Sequence, residues 1–523
     1  MKKHFVLLLP MLVLNSCVKG GDTTTSTPNI STPPTTMPDS STGSSTTTIP
    51  EVYTLSSHEE FIKASNNDVL YIKAHLNYVT KEFGSNHNYF FQDLDGGYYC
   101  TGTITLDEGK TYIIKGTKTY NNATKQHTLN GISLIAEDEE DIDVDIIDIS
   151  DSFSTENIMN NYQGALVTVK GLKYTISQSF NDIKKTLSYA RRENNAPSIR
   201  LMNYRDYIGQ TNFDQINSRL NKIDINASFD VERAVFMNDY GTPVLVLLDS
   251  NDIIGGKLSD EEKTYNLVKN NIKLNRYIDS SIALATSIAG EEVVWASSNE
   301  ALINNSGEIV SEVTENTNVR LTATITSINR SIEYDVIIIP HVEEVTSSTI
   351  SPDLFISEIY EGTSSNNHAI ELYNNTGSAL DLSSYKVVQY VNGDEGETIS
   401  LQLDGNLEHG KCIVIYDNQK IEIAGFTSHL KKISNEGIRT IADQVAHFNS
   451  NDPIALYNGN DLIDTIGYIG RLSNFMNNVT YYRNENSYIP ETYWNSKNWT
   501  YVSNESNSTN YYEDLGYHSI GAK

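Results

Sequence analysis

Between Ser351 and Val391 apolar and polar residues alternate in short runs, and this pattern constrains the fold more than any other feature of the chain. Phe355, Ser357 and Ile359 alternate with Ile356, Glu358 and Tyr360, which predicts a half-buried strand. A polar loop follows, then a second strand at Ala369–Tyr373, an Asn-Asn-Thr-Gly turn (374–377) and a third strand from Tyr385. Short strands at this spacing predict a β-sandwich. At 523 residues the chain exceeds what one hydrophobic core can hold, so roughly three or four such modules are expected.

The first residues set the address. Lys2 and Lys3 precede a short apolar run, Phe5–Leu14, too short to span a bilayer and readable as an export signal. Leu14-Asn15-Ser16-Cys17 resembles a bacterial lipobox, which implies a thioether-linked diacylglycerol on Cys17 and a membrane partner at the extracellular face. The plainer alternative is an ordinary signal peptide that contains a cysteine. Residues 18–50 are dominated by Thr, Ser and Pro and have no apolar face to bury, as suits an extended stalk. The remaining cysteines, Cys100 and Cys412, fall in different modules, so neither a disulfide framework nor a Cys-based zinc site is expected.

Four modules follow. In 51–138, Ser57 with Glu60 three residues on forms a capping-box signature, and strands surround FFQDLDGGYYC and IIKGTKTY. This order resembles the OB-fold modules of secreted bacterial nucleases and related surface proteins. Residues 139–256 repeat the logic in Gly164–Thr175 and Gly241–Ile253, as a second, divergent OB-like module interrupted by an insertion at about Gln178–Lys222. In 258–345, Ser259 caps a helical opening, and WASSNEALINNSGEIV resembles bacterial immunoglobulin-like domains with Trp295 buried. In 351–523, ISEIYEG, AIELYNNTG and LDLSSYKV resemble the lamin-tail domain of secreted and surface proteins of bacteria. Together these predict a mainly β chain, a string of OB-like barrels and Ig-like β-sandwiches with a few short helices and little contact between modules.

Chemistry is sparse. There is no G-x-S-x-G nucleophile elbow, and His58-Glu59-Glu60 lacks the second histidine of a zinc helix. Gly255-Gly256-Lys257 lacks the Ser or Thr that would hold magnesium in a phosphate loop, since Leu258 stands there. Asp93 and Asp95 read as a hairpin turn, or alternatively as two ligands of a cation site that needs several more oxygens. Asp141, Asp143 and Asp145 are expected to share one strand face, either solvated or as a weak calcium site.

The net charge of −29 opposes general nucleic-acid binding. The insertion reverses it: Lys184, Lys185, Arg191 and Arg192 lie beside Tyr189, the basic-plus-aromatic mixture that meets single strands. A loop of this charge equally suits docking onto the module's own carboxylates. The aromatics Tyr71, Tyr89, Phe91, Tyr98 and Tyr99 serve either the first barrel's core or its ligand face, with core packing expected for most. The reading is a non-enzymatic, lipid-anchored surface protein that needs no cofactor and binds a surface protein, a glycan or a nucleic acid. The alternative is an accessory component of an extracellular nuclease system that binds nucleic acid through the OB-like modules.

Overall fold

The computed structural model describes residues 53–520 apart from 82–85, 179, 181, 363–366, 418, 420–423 and 505–511. Cys17 and the Thr/Ser/Pro segment lie outside the described residues. Thr54–Lys523 forms one compact unit, mainly β, with six helices among the described residues.

Helix α1 (His58–Lys63) starts at the capping box read from the sequence: the Ser57 hydroxyl accepts from Glu60 N–H, and the Glu60 carboxylate accepts from Ser57 N–H at 2.7 Å. Strands β1 (Val69–Val79), β2 (His87–Gln92), β3 (Gly97–Gly102), β4 (Thr111–Asn121) and β5 (Gln126–Glu137) close a barrel in the order β1-β2-β3-β5-β4, with β4 pairing back to β1. This is the five-stranded order of an OB-like barrel. β1 alternates buried and half-buried positions, sending Ile72, Ala74 and Leu76 inward to meet Tyr89, Phe91 and Tyr98. Most of the aromatics named from the sequence are therefore core.

The second module holds β6 (Ile147–Asp148), α2 (Glu156–Asn161), β7 (Leu166–Leu172), β8 (Lys185–Ala190), β9 (Ile199–Tyr204), α3 (Arg205–Ile208), α4 (Gln210–Leu220), β10 (Phe229–Asp239), β11 (Thr242–Leu247) and β12 (Ile253–Gly255). Its sheet runs β6-β7-β10-β11-β9-β8, with β12 also on β10. The segment expected to project as a basic loop instead supplies β8, β9, α3 and α4. Phe213, Ile216 and Leu220 of α4 recur at helical spacing and are buried in the module's core, so the insertion has apolar faces to bury. The acidic stretch 138–146 is not a strand. It crosses the end of the barrel, where Asp141 Oδ1 accepts Thr111 N–H at 2.9 Å and Ile142 N–H donates to Thr111 Oγ1 at 2.8 Å.

In the third module α5 (Asp260–Asn271), capped by Ser259, packs Val268 into a five-stranded sheet. Its strands are β13 (Tyr277–Ile278), β14 (Ser287–Ile288), β15 (Glu291–Ser297), β16 (Thr317–Ile325) and β17 (Arg330–Ile338), ordered β13-β17-β16-β15-β14. Trp295 is buried as expected, and its indole N–H donates to Ala285 O at 2.9 Å.

The last module is a sandwich. Its larger sheet runs β25-β24-β19-β18-β28-β29 and the smaller β22-β21-β26-β27, with β20 and β23 paired apart. The strands are β18 (Phe355–Glu361), β19 (His368–Asn374), β20 (Leu380–Asp381), β21 (Tyr385–Tyr390), β22 (Thr398–Gln402), β23 (Asn406–Leu407), β24 (Lys411–Tyr416), β25 (Arg439–Ala442), β26 (Ile454–Asn458), β27 (Asp461–Ile466), β28 (Val479–Arg483) and β29 (Trp499–Ser503). The strand expected to be half-buried, β18, is buried at every position, as is β19. One face meets the smaller sheet through Ile356 and Ile359. The other is covered by α6 (Ala424–Asn435) and by Tyr512, Leu515 and Ile520 near the C-terminus.

The modules are not loosely strung. Tyr78 and Phe90 of the barrel share one core with β7 and β10 of the second module. Gly97 lies so close to that module that a Cβ there would sit 2.4 Å from Ala165 N. The Ig-like module is tied to the sandwich by Tyr277 OH donating to Asp353 at 2.7 Å and by Arg276–Asp461 at 2.8 Å.

Candidate binding surfaces

The five basic and aromatic residues singled out in the sequence divide into two groups. β8 and β9 form an edge hairpin in which Lys185, Leu187 and Tyr189 share one outward face with Arg200, Met202 and Tyr204. Tyr189 is exposed, with the Arg200 guanidinium 5.4 Å from its ring centre; Lys185 Nζ lies 5.7 Å from the Tyr204 ring. Lys184 is exposed just before β8. Arg191 and Arg192 leave this face. Arg191 is buried against the sandwich, bonding Gly396 O, Ala196 O at 3.3 Å and Glu397 Oε2 at 3.1 Å, with Asp394 at 3.7 Å. Arg192 pairs with Asp151 and donates to Ser150 O. Both guanidiniums hold the structure together, and Arg191 has no exposed surface to offer a phosphate.

An OB barrel's usual ligand surface is the face of its second and third strands with the neighbouring loops. Here that surface is occupied. Phe90 and Tyr99 stack at 5.6 Å beneath Tyr207 of α3, Tyr78 OH donates to Tyr207 O, and the loop between β4 and β5 receives Gln163 Nε2 on Lys125 O. Burial pushes the Tyr99 phenol up to about 12.

A more open cavity lies elsewhere. A cleft of about 890 Å³ opens between the Ig-like module and the smaller sheet of the sandwich, with Asn194 and Asn195 of the second module at its rim. Lys386, Val388 and Tyr390 of β21 alternate along its floor, beside Thr398 and Ser400 of β22 and Tyr457 of β26. Tyr390 and Tyr457 join their hydroxyls at 2.5 Å, and Lys386 Nζ lies 5.0 Å from the Tyr457 ring. Burial, then the second phenol, raises Tyr390 well above an ordinary phenol. The opposite wall is the segment 269–276 with Glu333–Val336 of β17. Four cations line the cleft (Lys269, Lys273, Arg276, Lys386) and four anions (Glu333, Asp335, Glu395, Asp461).

Two further clusters are closed. Glu358 and Glu371 sit directly opposite on β18 and β19, both buried. Glu371 accepts from Ser357 Oγ at 2.5 Å and from Gly516 N–H, while Glu358 Oε1 has no hydrogen-bond partner among the described residues. Burial, then the facing carboxylate, drives Glu358 well above the carboxylate range, and burial raises Glu371 to about 7. In the barrel, Lys118 is buried with Nζ 2.7 Å from His127 Nδ1 and 3.9 Å from the Phe61 ring centre, and desolvation lowers it to about 7. The turn at Asp93 uses its own carboxylate, which accepts Asp95 N–H and Gly96 N–H at 2.8 and 2.9 Å. Among the described residues no group of three or more His, Cys, Asp or Glu is arranged to hold a metal ion. Gly255 and Gly256 form a positive-φ turn, and Lys257 pairs with Asp224 at 3.2 Å.

These features define a multi-module β protein with a mixed-charge, tyrosine-floored cleft. Residues 347–470 match the family model of the Lamin Tail Domain. No curated protein matches the chain. Among solved structures, the chain is similar to the Ifi202 HINa domain in complex with 20-bp double-stranded DNA, at 14% identity and TM-score 0.18, over 37% of this chain and 98% of that one. It is also similar to a replication protein A heterotrimer bound to single-stranded DNA, at 9% identity and TM-score 0.17, over 52% of this chain and 79% of that one. At these TM-scores the likeness assigns neither fold nor ligand.

Proposed function

We propose that this chain is a surface protein that acts by binding and not by catalysis, anchored at the extracellular face of the membrane by lipid on Cys17, with residues 18–50 as its stalk. The observation that carries the reading is the cleft. Three modules lock together around an open, polar space of about 890 Å³, while the acidic pair and the buried lysine are sealed away from substrate. The anchor rests on Leu14–Cys17. Cys17→Ser expressed in a bacterial host should leave the protein unlipidated and move it from the detergent phase to the aqueous phase; unchanged partitioning overturns the anchor.

A second reading, single-stranded nucleic acid bound as part of an extracellular nuclease system, is favoured by the β8–β9 face. Lys184, Lys185 and Tyr189 would supply phosphate and stacking contacts there, with Arg200 and Tyr204 adjoining. Binding of an oligo(dT) probe should then weaken with salt, and Lys184→Ser with Lys185→Ser should lower the slope of log K against log salt by about 0.7 for each phosphate left without its cation. A wild-type protein that does not bind the probe at low salt refutes this reading.

A further inference from the structure

We propose that the cleft between the Ig-like module and the sandwich is a binding site for a neutral oligosaccharide. The inference rests on the binding-protein reading above and deepens it.

The volume, about 890 Å³, falls in the range of about 300–1,000 Å³ typical of sites for extended small ligands. Most such sites are lined chiefly by apolar side chains. This one mixes amides, hydroxyls, ions and tyrosines with a minority of aliphatic side chains (Ile272, Leu274, Val336, Val388, Leu462 and Ile469), so its occupant must satisfy many polar groups while covering some apolar surface. A polyhydroxylated ligand does so, because each hydroxyl both donates and accepts. Asn270 and Asn275 offer donors and acceptors from the Ig-like wall and Ser400 from the floor, while Asn195 and Thr398 join at the rim, Thr398 Oγ1 donating to Asn195 Oδ1 at 2.5 Å.

Charge separates a glycan from a polyanion. The chain as a whole carries 67 acidic against 38 basic residues, yet the cleft balances four against four. Two of these ions neutralise each other across the opening, Arg276 with Asp461 at 2.8 Å. A field with no net sign does not gather phosphates, whereas a neutral chain needs no such attraction to bind. Tyrosine supplies the remaining element. Tyr457 and Tyr390 tie their hydroxyls together at 2.5 Å, which fixes both rings in the floor, and Tyr457 stays partly exposed, as do Tyr334 and Tyr493 in the walls. An aromatic face with a polar tip is an economical platform for a sugar ring, whose C–H groups pack on the ring while its hydroxyls reach the tip.

The test uses the full-length protein and isothermal titration calorimetry. The probes are hexaoses of β-linked glucose, α-linked glucose and N-acetylglucosamine, with a heparin-type oligosaccharide and oligo(dT) as polyanions. At least one neutral hexaose should bind, with an affinity that changes little with salt, since no counterions are released. Tyr457→Ala should weaken it at least tenfold and Tyr457→Phe, which keeps the ring, by much less. Ser400→Trp places a bulky group on an exposed floor position and should block binding with no core residue altered; unchanged tryptophan emission from Trp494 and Trp499 in the Tyr457 variants excludes unfolding as the cause. Failure of every neutral hexaose to bind overturns the proposal. Binding that survives both Tyr457→Ala and Ser400→Trp also overturns it, though the protein then binds elsewhere and the broader reading stands. A polyanion that binds steeply with salt and is displaced by Ser400→Trp replaces the glycan in the cleft, again leaving the broader reading intact.

Discussion

Asp464→Ala is expected to destabilise the sandwich by about 3–5 kcal/mol, the cost of stranding one member of a buried ion pair. Asp464 of β27 and Arg483 of β28 are both fully buried, and one guanidinium nitrogen reaches both carboxylate oxygens at 2.7 and 2.6 Å. The pair links the two sheets. Arg483 also donates to Ile356 O at 2.8 Å and Ile489 O at 3.1 Å, while Asp464 accepts from the backbone N–H of Ile356 and of Glu491, each at 2.8 Å. The guanidinium lies 5.1 Å from the Phe355 ring centre and 4.7 Å from that of Trp499. Removing the carboxylate leaves a buried cation without its counter-charge and orphans two N–H groups, each costing about 1–3 kcal/mol. A buried pair can often be exchanged for apolar residues with little loss. Here four backbone groups depend on it, so Asp464→Leu with Arg483→Met should remain well below wild type while showing strong non-additivity in the double-mutant cycle. Urea unfolding in a Trp295→Phe background reports on this module through Trp494 and Trp499. With a slope of about 2 kcal/mol/M the midpoint should fall by about 1.5–2.5 M in Asp464→Ala. A loss below about 1 kcal/mol, or a double variant as stable as wild type, refutes the reasoning.

Three further outcomes are expected. Glu371 titrates near 7 in the fold against 4.5 for a free side chain, so the folded state holds its proton longer. Stability should be full below about pH 4.5 and decline by on the order of 3 kcal/mol as pH rises through 7; Glu371→Gln should flatten that slope in chemical denaturation, and an unchanged slope counts against burial as the cause of the raised Glu371 value. Trp295→Ala should cost the Ig-like module about 3–5 kcal/mol, and a red-shifted, solvent-like emission from Trp295 in a protein lacking Trp494 and Trp499 would contradict its burial. Arg191→Lys should fail to restore what Arg191→Ala loses, because the fork bonds Ala196 O, Gly396 O and Glu397 together; faster amide exchange at residues 394–398 in both variants is the readout, and full protection in either one is the contrary result.

Local signals were legible where the physics is local. The caps at Ser57 and Ser259 and the tryptophan of β15 each depend on residues within one turn or strand, and each stands where the sequence placed it. Misreadings arose where a second layer arrives from far along the chain. β18 looked half-buried because nothing near Phe355 announces that α6 and the segment around Leu515 will cover its other face. A bulge between Ile356 and Glu358 then brings Glu358 opposite Glu371, under that cover. A carboxylate that reads as solvated in an alternating pattern thus becomes one of a sealed pair. The basic insertion misled for the same reason. Eight cations within about forty residues suggest a polyanion, but Arg191 meets its counter-charges in a loop two hundred residues away. The cleft is the extreme case, since its lining comes from six separated stretches and no single one carries a motif. In a chain of this kind sequence periodicity reports the first packing partner of each strand, and the proposed site lies where a second or third module closes the space. That is why the tyrosines of β21 and β26, unremarked in the sequence, form the floor of the proposed glycan site.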